Sequence, residues 1–314
     1  MATYLVTGGA GFIGSHIGAA LLARGDRVRI LDNFATGLRE NLRSVEGAEL
    51  IEGDIRSYHT VREAVEGVHF VFHLAALPSV PRSIRDPITS NDVNVVGTLN
   101  VLNASRDARV ARLVYASSSS TYGRNPELPK REDMVPLPIS PYAVSKLAGE
   151  HYCRAFWELY RFETVMLRLF NVFGPRQNPN SQYSAVIPLF IQSMLRNESP
   201  SVNGDGTQTR DFTYVDNVVQ AFLASSLAPS VAGHVFNIAA GERHSLLDLL
   251  AALSTAFGRD FAPTFNPSRM GDVPHSYASI DAARAAFGYR PSVGFVDGLR
   301  RTVDAMRDSA VPVG

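Results

Sequence analysis

The sequence predicts an α/β fold in which a doubly wound parallel sheet is followed by a smaller α/β lobe. Two observations predict the sheet: short apolar runs alternate with helical patterns up to about residue 175, and a glycine-rich turn joins the first run to the first helix. A third predicts the lobe, since polar residues and turn formers dominate after Gly174. We therefore expect one domain over 1–175 with a return segment near 213–240, and a second over 176–212 and 241–314.

The elements of the first domain follow from the spacing of apolar residues. Strands are short apolar runs, and they are expected at 4–8, 26–33, 48–54, 69–76, 112–120 and 164–174. Helices carry apolar residues at helical spacing, and they are expected at 15–25, 57–67, 90–108 and 142–160. Strands that alternate with helices pair in parallel, and such sheets bind ligands at the carboxyl ends of their strands.

The composition argues against several classes of protein. Of 314 residues, 45% are hydrophobic and 19% are charged, which suits a sizeable core. The net charge is zero, which argues against a protein that binds nucleic acid or a membrane surface. The single cysteine, Cys153, cannot form an intramolecular disulfide and is expected to be buried in a helix. Because there is no signal-peptide pattern and no apolar run of about 18–20 residues, we expect a cytoplasmic protein.

The first strand runs into the turn TGGAGFIG, residues 7–14. Its glycines Gly8, Gly11 and Gly14 permit a tight turn and a close approach of the backbone to a pyrophosphate at the helix N-terminus. Asp32, at the end of the next strand, can accept hydrogen bonds from the diol of an adenosine ribose, and its charge repels a 2′-phosphate. The turn and Asp32 together predict that the protein binds NAD in preference to NADP.

Residues at the ends of neighbouring strands extend this predicted site. Asp54 could bond the adenine amino group, and the small Ala75 and Ala76 would let the cofactor lie against the backbone. Arg39 could complicate the preference for NAD, whereas strand alternation points Arg29 elsewhere. The prediction therefore rests on the combination of these residues with the glycine turn.

Tyr142 and Lys146 lie four residues apart in ISPYAVSKLAGE, residues 139–150, and therefore share one helix face. The pKa of a free tyrosine is about 10, so a tyrosine is a poor base at neutral pH. A nearby ammonium and a cationic nicotinamide would favour the phenolate and lower that pKa. Lys146 could also bond the nicotinamide ribose. The preceding serine run, ASSSSTYG at 116–123, offers a hydroxyl that can bond a substrate oxygen.

Taken together, the motifs resemble a known family. TGGAGFIG, HLAA, SSSSTYG, PYAVSK, LRLFNVFGPRQNP and NGDGTQTRDF resemble the extended short-chain dehydrogenase/reductase superfamily, and within it the nucleotide-sugar 4-epimerases of the UDP-glucose or UDP-N-acetylglucosamine type. The resemblance implies that Tyr142 is the catalytic base and acid, that Lys146 assists it and that Ser118 is the catalytic hydroxyl. Ser119 and Ser120 stand where related 4,6-dehydratases carry Asp-Glu, which speaks against dehydration.

The resemblance also assigns binding residues. The cofactor positions, for a Rossmann-type domain that binds NAD, are Gly8, Gly11, Phe12, Ile13, Gly14, Asp32, Asn33, Thr36, Gly37, Asp54, Ile55, Leu74, Ala75, Ala76, Asn94, Tyr142 and Lys146. The UDP-sugar positions are Ser79, Arg82, Ser118, Ser119, Ser120, Asn171, Gln182, Val186, Ile187, Asn203, Arg210, Arg269, Asp272 and Ser276. Arg210 and Arg269 would grip the diphosphate, for which guanidinium geometry is suited.

The implied mechanism oxidises and then reduces C4 of the sugar. Tyr142 removes the proton of the 4-hydroxyl while C4 passes hydride to the nicotinamide. The 4-keto sugar turns while UDP stays clamped, and hydride returns to the opposite face. NAD is regenerated in each cycle, so it is expected to stay tightly bound.

The identity of the sugar depends on the size and charge of its pocket. Ser276 matches a position at which a tyrosine restricts the pocket, so its small side chain should admit the 2-acetamido group. Gln182 stands where epimerases that prefer acetylated sugars often carry a smaller residue. We therefore expect UDP-N-acetylglucosamine and UDP-glucose as substrates, with UDP-glucuronate as the alternative. Arg82 and the hydroxyls of 118–121 are candidates to face its carboxylate.

Other readings of the motifs stay open. A UDP-sugar decarboxylase or reductase of the same superfamily would lose carbon dioxide or consume cofactor. A non-catalytic NAD-binding protein could reuse the fold, since fold alone does not establish function. The resemblance also implies a homodimer in which two helices of each subunit pair across a two-fold axis. These helices offer the apolar residues Val95, Leu99, Leu102, Leu147, Tyr152 and Phe156.

Overall fold

A computed structural model describes residues 1–179, 185–267 and 274–310, with side chains given up to 308. The strands in these ranges are β1 (Thr3–Thr7), β2 (Arg27–Asp32), β3 (Glu49–Glu52), β4 (Phe70–His73), β5 (Arg112–Ser118), β6 (Glu163–Leu169), β7 (Val172–Phe173), β8 (Ser201–Asn203), β9 (Thr209–Arg210), β10 (Thr213–Tyr214), β11 (Val235–Ile238), β12 (His244–Ser245) and β13 (Thr264–Asn266). The α-helices are α1 (Phe12–Ala23), α2 (Tyr58–Val65), α3 (Val80–Arg85), α4 (Pro87–Asn91), α5 (Gly97–Asp107), α6 (Pro141–Tyr160), α7 (Val186–Leu195), α8 (Val215–Leu227), α9 (Leu246–Phe257), α10 (Asp281–Phe287) and α11 (Phe295–Ala310).

Seven strands form one parallel sheet in the order β11-β6-β5-β4-β1-β2-β3. The chain builds outward from β1 to β3 and then returns to the other side of β1 to place β4. The order therefore reverses between β1 and β4, where Thr7 pairs with His73 at the carboxyl ends. A crevice at such a reversal is where doubly wound sheets bind ligands. The predicted fold class is confirmed.

Each predicted strand and helix of the first domain is present, although the bounds of several are shifted, shortened or divided. The strand expected at 164–174 ends at Leu169, and Val172–Phe173 pairs instead with β10. The helix expected at 90–108 contains one π-helical turn, Asp92–Val96, between α4 and α5. β11 completes the far edge of the sheet by pairing with β6.

Helices cover both faces of the sheet because alternate strand residues point to opposite faces. On one face the strands pack with α1 and α8 through Val6, Ile17, Phe72, Val114 and Phe222. On the other face they pack with α5 and α6 through Leu5, Val71, Leu102, Leu113 and Phe156. Cys153 lies in this second core and is fully buried, as expected. A third core joins α7, α9 and α11 through Phe190, Leu249 and Leu299.

Local sequence explains where α6 begins and ends. The hydroxyl of Ser140 accepts a hydrogen bond from the Ala143 N–H over 3.2 Å, and Pro141 occupies the first turn. The helix ends at Arg161, whose φ of 55° is left-handed. This start places Tyr142 and Lys146 in the first two turns, beside the carboxyl end of β5. In the described ranges, no helix combines the length and apolar character that a membrane crossing requires.

Candidate active site

The turn after β1 fits a dinucleotide. Gly8 has a φ of +73°, and a Cβ there would lie 2.8 Å from the backbone nitrogen of Ala75. A Cβ on Gly14 would lie 2.2 Å from the carbonyl oxygen of Gly8. The N-cap, Gly11, has no side chain to bond the first N–H groups of α1, which include those of Phe12 and Ile13. The turn thus needs glycine because a Cβ would collide with neighbouring backbone atoms, and it leaves backbone donors at the start of α1, as pyrophosphate binding requires.

Asp32 lies at the carboxyl end of β2, beside this turn. Its carboxylate accepts hydrogen bonds from the N–H groups of Ala10 (2.9 Å) and Phe34 (2.8 Å). A Cβ on Gly37 would lie 3.0 Å from both carboxylate oxygens, so glycine keeps that approach open. Burial raises the pKa of Asp32, and the two N–H bonds oppose that rise. The adjacent Thr36 is exposed.

The two arginines considered in the sequence are bonded to other groups. Arg29 binds Glu49 (2.8 Å) on the neighbouring strand, as alternation predicted. Arg39 binds Glu52 at 2.6 Å, and its guanidinium carbon lies 4.0 Å from the centre of the Phe34 ring. Both guanidinium groups therefore pair with glutamates and not with Asp32. The Asp32 carboxylate can still repel a 2′-phosphate.

Further predicted cofactor residues line the neighbouring strand ends. The Asn33 amide donates to Asp54 over 2.8 Å, and Arg56 binds the same carboxylate over 2.7 Å. The hydrogen bond from Arg56 is the main reason that the pKa of Asp54 falls to about 2. Next to it, Ile55 is buried. Beyond β4, the Leu74–Ala76 segment is partly buried and runs beside Gly8, with Leu74, Ala75 and Ala76 on the path between the turn and α6.

Asn94 has a different environment from the one its assignment suggests. The residue is buried in the π-helical turn. Its amide oxygen accepts from the Leu77 N–H over 2.7 Å, and its amide nitrogen donates to the Leu77 carbonyl (3.2 Å) and the Ser145 hydroxyl (3.0 Å). The side chain thus joins the loop after β4 to α6. A buried amide with these three bonds supports the loop after β4, and its contact with the cofactor stays a prediction.

Ser118 and Tyr142 form the centre of the site. The Ser118 oxygen accepts hydrogen bonds from the Ser120 N–H (3.2 Å) and the Ser120 hydroxyl (2.9 Å). The Ser118 hydroxyl keeps its own proton for another acceptor, and it acts on the Tyr142 phenol by lowering the pKa of that phenol. Ser119 continues from β5 into a single 3₁₀ turn and is partly buried. Among the three candidate serines, this geometry favours Ser118 as the hydroxyl that acts with Tyr142.

Lys146 lies one turn beyond Tyr142 and is buried. Its ammonium donates to the Ala116 carbonyl over 2.8 Å, and burial lowers its pKa to about 8. Burial raises the pKa of Tyr142, and the hydrogen bond from Ser118 only partly opposes that rise. This is the reverse of the lowering expected from the sequence, because desolvation of the phenolate is the largest influence on the Tyr142 pKa.

A cavity of about 240 Å³ brings together residues that the resemblance assigned to UDP. The assigned residues in its lining are Asn171, Val186, Ile187, Asn203 and Arg210. Asn171 lies two residues beyond Leu169, which pairs with Ser118 across β5 and β6. The cavity therefore begins at the same edge of the sheet as the serine and tyrosine.

Sequence reasoning missed several residues in this lining, among them Gln208 and Phe212. Both lie two residues from Arg210, so alternation along an extended segment would have placed the three on one face. The Gln208 amide donates to the Asn203 carbonyl over 2.6 Å, and one Arg210 nitrogen donates to the Thr209 carbonyl over 2.9 Å. Ser276 lies beside them, because its N–H donates to the Thr209 carbonyl over 3.1 Å.

The structure describes some of the other residues that the resemblance assigned to the UDP-sugar. Ser79 begins α3, and its hydroxyl accepts from the Arg82 N–H over 3.2 Å. The next serine, Ser83, was not singled out from the sequence, yet its hydroxyl accepts from the Tyr142 N–H over 3.0 Å. No local pattern signals that contact, since the two residues are far apart in the chain. Gln182, Arg269 and Asp272 lie outside the described residues.

The two helices considered for dimerisation expose part of the expected apolar surface. Leu102 and Phe156 are buried in the subunit core, which corrects their assignment to an interface. Tyr152 is exposed, and Val95, Leu99 and Leu147 are partly buried. Other exposed apolar side chains on this side are Val96, Val144 and Leu159.

Comparisons with known proteins agree with this geometry. A family model described as the NAD dependent epimerase/dehydratase family matches residues 4–239. The UDP-glucose 4-epimerase of Mycolicibacterium smegmatis is 38% identical over 311 residues, which cover 98% of this chain and 99% of that protein. The structure of UDP-N-acetylglucosamine 4-epimerase from Methanobrevibacter ruminantium M1, in complex with UDP-N-acetylmuramic acid, matches with a TM-score of 0.94 and 37% identity, over 98% of this chain and 99% of that one. The structure of UDP-glucuronic acid 4-epimerase from Bacillus cereus, in complex with UDP-glucuronic acid and NAD, matches with a TM-score of 0.91 and 32% identity, over the same shares.

Proposed function

The chain belongs to the NAD-dependent epimerase/dehydratase family, and on that premise we propose that it is an isomerase that inverts C4 of UDP-hexoses with NAD as its cofactor. The observation that carries the proposal is the cavity in which Asn171, Asn203 and Arg210 lie together, at the sheet edge that also holds Ser118 and Tyr142. A catalytic pair beside a cavity that holds these three polar side chains suits a reaction on a nucleotide sugar.

The catalytic residues act on the proton of the sugar 4-hydroxyl. Tyr142 accepts that proton and later returns it, while Ser118 bonds the same oxygen and Ser120 orients Ser118. NAD, when bound between the glycine turn and α6, supplies the oxidation of C4 and its reversal. Lys146 places a positive charge close to this site, where it favours the phenolate form of Tyr142.

The UDP cavity lets the sugar move while the nucleotide stays in place. Arg210 supplies a positive charge for the diphosphate, and Asn171 and the start of α7 border the same space. The 4-keto sugar makes no covalent bond to the protein, so it can turn about the bond to the diphosphate and present its other face. Fixing the nucleotide and freeing the sugar is what inversion requires, and a one-way dehydrogenase needs no such freedom.

We propose UDP-N-acetylglucosamine and UDP-glucose as the substrates. The support is the small side chain of Ser276, which lies beside Thr209 at the margin of the cavity. UDP-glucuronate is the second candidate, favoured by the similarity to an epimerase bound to that sugar and by Arg82, which is partly buried at the start of α3. NAD that is retained through each cycle and a homodimer formed through α5 and α6 belong to the same proposal.

Turnover without added cofactor tests the proposal. The purified protein is incubated separately with UDP-glucose, UDP-N-acetylglucosamine and UDP-glucuronate, and the anomeric protons are followed by NMR. The expected result is the galacto epimer of at least one sugar, with no carbon dioxide and no net NADH. Release of carbon dioxide or consumption of cofactor would favour a decarboxylase or a reductase. No turnover, even after NAD is added, would contradict the assignment of the cavity to UDP.

A further inference from the structure

A buried ion pair lies directly behind the proposed catalytic centre. Glu150, two turns beyond Tyr142 on α6, binds Arg168 of β6 through two hydrogen bonds of 2.9 and 2.8 Å. Both side chains are buried, with 6% and 4% of their surfaces exposed. A buried pair contributes little net stability, because desolvation of the two charges offsets their attraction. Stability alone is therefore a weak explanation for this pair.

The Glu150 carboxylate has a third partner. The Ser117 hydroxyl donates to it over 2.5 Å, a short bond to a charged acceptor. Ser117 is buried, and it lies between Ala116, whose carbonyl receives the Lys146 ammonium, and Ser118. The bond therefore holds the strand at the point where it supplies both of those contacts.

Three consecutive residues of β5 thus interact with three residues of α6 that are spaced one turn apart. The Ala116 carbonyl accepts from Lys146, the Ser117 hydroxyl donates to Glu150, and the Ser118 hydroxyl lowers the pKa of Tyr142. The first and third contacts involve the proposed catalytic residues. The second involves a carboxylate that is itself fixed by Arg168 on the next strand.

We propose that Glu150 is a positioning residue for the epimerase reaction: through Ser117 it fixes the end of β5 against α6 and so sets the distance between Ser118 and Tyr142. This inference rests on the proposed function. Glu150 then affects the chemical step through Ser117. It takes no part in binding UDP, because other residues line the UDP cavity.

A second cavity makes the proposal testable by chemical rescue. It has a volume of about 390 Å³ and lies between α6 and residues 132–136. Glu150 and Arg168 line it, and among the described residues the Arg168 Nη1 atom is buried without a hydrogen-bond partner. A small carboxylate that enters this cavity could therefore occupy the position of a deleted Glu150 side chain and pair with Arg168.

The first test is Ser117→Ala, which removes the bond and leaves the ion pair in place. We expect kcat to fall about tenfold, as loss of a hydrogen bond to a charged group allows, with KM for the UDP-sugar within twofold of wild type. The matched control is Ser226→Ala, a buried serine on α8 whose hydroxyl donates to the Leu223 carbonyl. An unchanged kcat in Ser117→Ala, or an equal loss in Ser226→Ala, would overturn the proposal.

The second test is Glu150→Ala with acetate. We expect a reduced kcat that rises severalfold with acetate and does not rise with chloride at equal ionic strength, while Ser117→Ala shows no rescue. A folded Glu150→Ala protein whose kcat ignores acetate contradicts the proposal. If this variant does not fold, Ser117→Ala decides alone. Wild-type protein that turns over none of the three sugars would instead show that the proposed function is wrong.

Discussion

The ammonium of Lys146 donates to the carbonyl oxygen of Ala116 over 2.8 Å, inside a protein core. The Lys146 ammonium is largely removed from solvent, and it lies 5.0 Å from the centre of the Tyr115 ring. The contact fixes the charge one helical turn from the proposed base. It also makes Lys146 a residue whose charge costs free energy of folding.

Substitution of Lys146 by methionine tests that cost through pH. Burial lowers the pKa of Lys146 from 10.5 to about 8. Between these values the unfolded chain binds more protons, so wild-type stability gains from this group as the pH rises from 8 to 10.5. We expect the free energy of unfolding of Lys146→Met, relative to wild type, to drop by roughly 3 kcal/mol over this window. Urea unfolding of both proteins at pH 7.5 and 10.5 measures this change. If the difference in free energy of unfolding were the same at both pH values, the pKa of Lys146 would not be lowered by burial.

Tyr142→Phe removes the proposed base and preserves the ring. We expect kcat to fall about 10²–10⁴-fold, the usual contribution of a positioned acid–base group. The dissociation constant for UDP should stay the same, because none of the cavity lining comes from α6. Tyr152→Phe, on the exposed side of the same helix, is the matched control and should retain wild-type activity. A Tyr142→Phe protein with near-normal kcat would show that another residue is the base.

Arg210→Gln tests the UDP cavity. Loss of hydrogen bonds from a charged donor to the diphosphate should weaken UDP binding by about 10–100-fold, from roughly 1.5–3 kcal/mol. Calorimetric titration with UDP measures this change. Arg284→Gln, which breaks an exposed ion pair with Asp281 on α10, should leave the affinity unchanged. If the two variants bound UDP with equal affinity, Arg210 would not be part of the UDP site.

Ser276→Tyr tests the size of the sugar pocket. Ser276 is partly buried and bonded through its N–H to Thr209, next to Arg210, so a larger side chain there should narrow the space beside the diphosphate. We expect turnover of UDP-N-acetylglucosamine to fall much more than turnover of UDP-glucose. The ratio of the two rates, measured in the same variant, is its own control. An unchanged ratio would show that Ser276 does not limit the sugar.

Local patterns predicted the fold of the first domain well. The alternation of strands and helices, the glycine turn and Asp32 are all properties of short stretches, and the seven-stranded parallel sheet and the family membership are confirmed. The placement of Asn171, Asn203 and Arg210 around one cavity agrees with the motif matches, although their roles remain predictions.

Contacts between distant segments were not predictable in the same way. The bonds of Asn94 to Leu77 and Ser145 join residues up to 51 positions apart, and burial decides that the amide supports a loop. The rise in the pKa of Tyr142 likewise follows from desolvation, which the spacing of Tyr142 and Lys146 does not reveal. Leu102 and Phe156 were expected at a subunit interface, and yet both lie in the core of the subunit.

The fate of the hydrogen on C4 tests the central claim most directly. The protein is given the UDP-sugar that it turns over fastest, carrying deuterium at C4, in ordinary water and without added NAD. Removal and return of this hydrogen by a retained cofactor predicts an epimer that keeps its deuterium, seen by mass spectrometry and by the missing H4 signal in NMR. An epimer that has exchanged its deuterium for solvent hydrogen would contradict the account, as would the absence of any epimer.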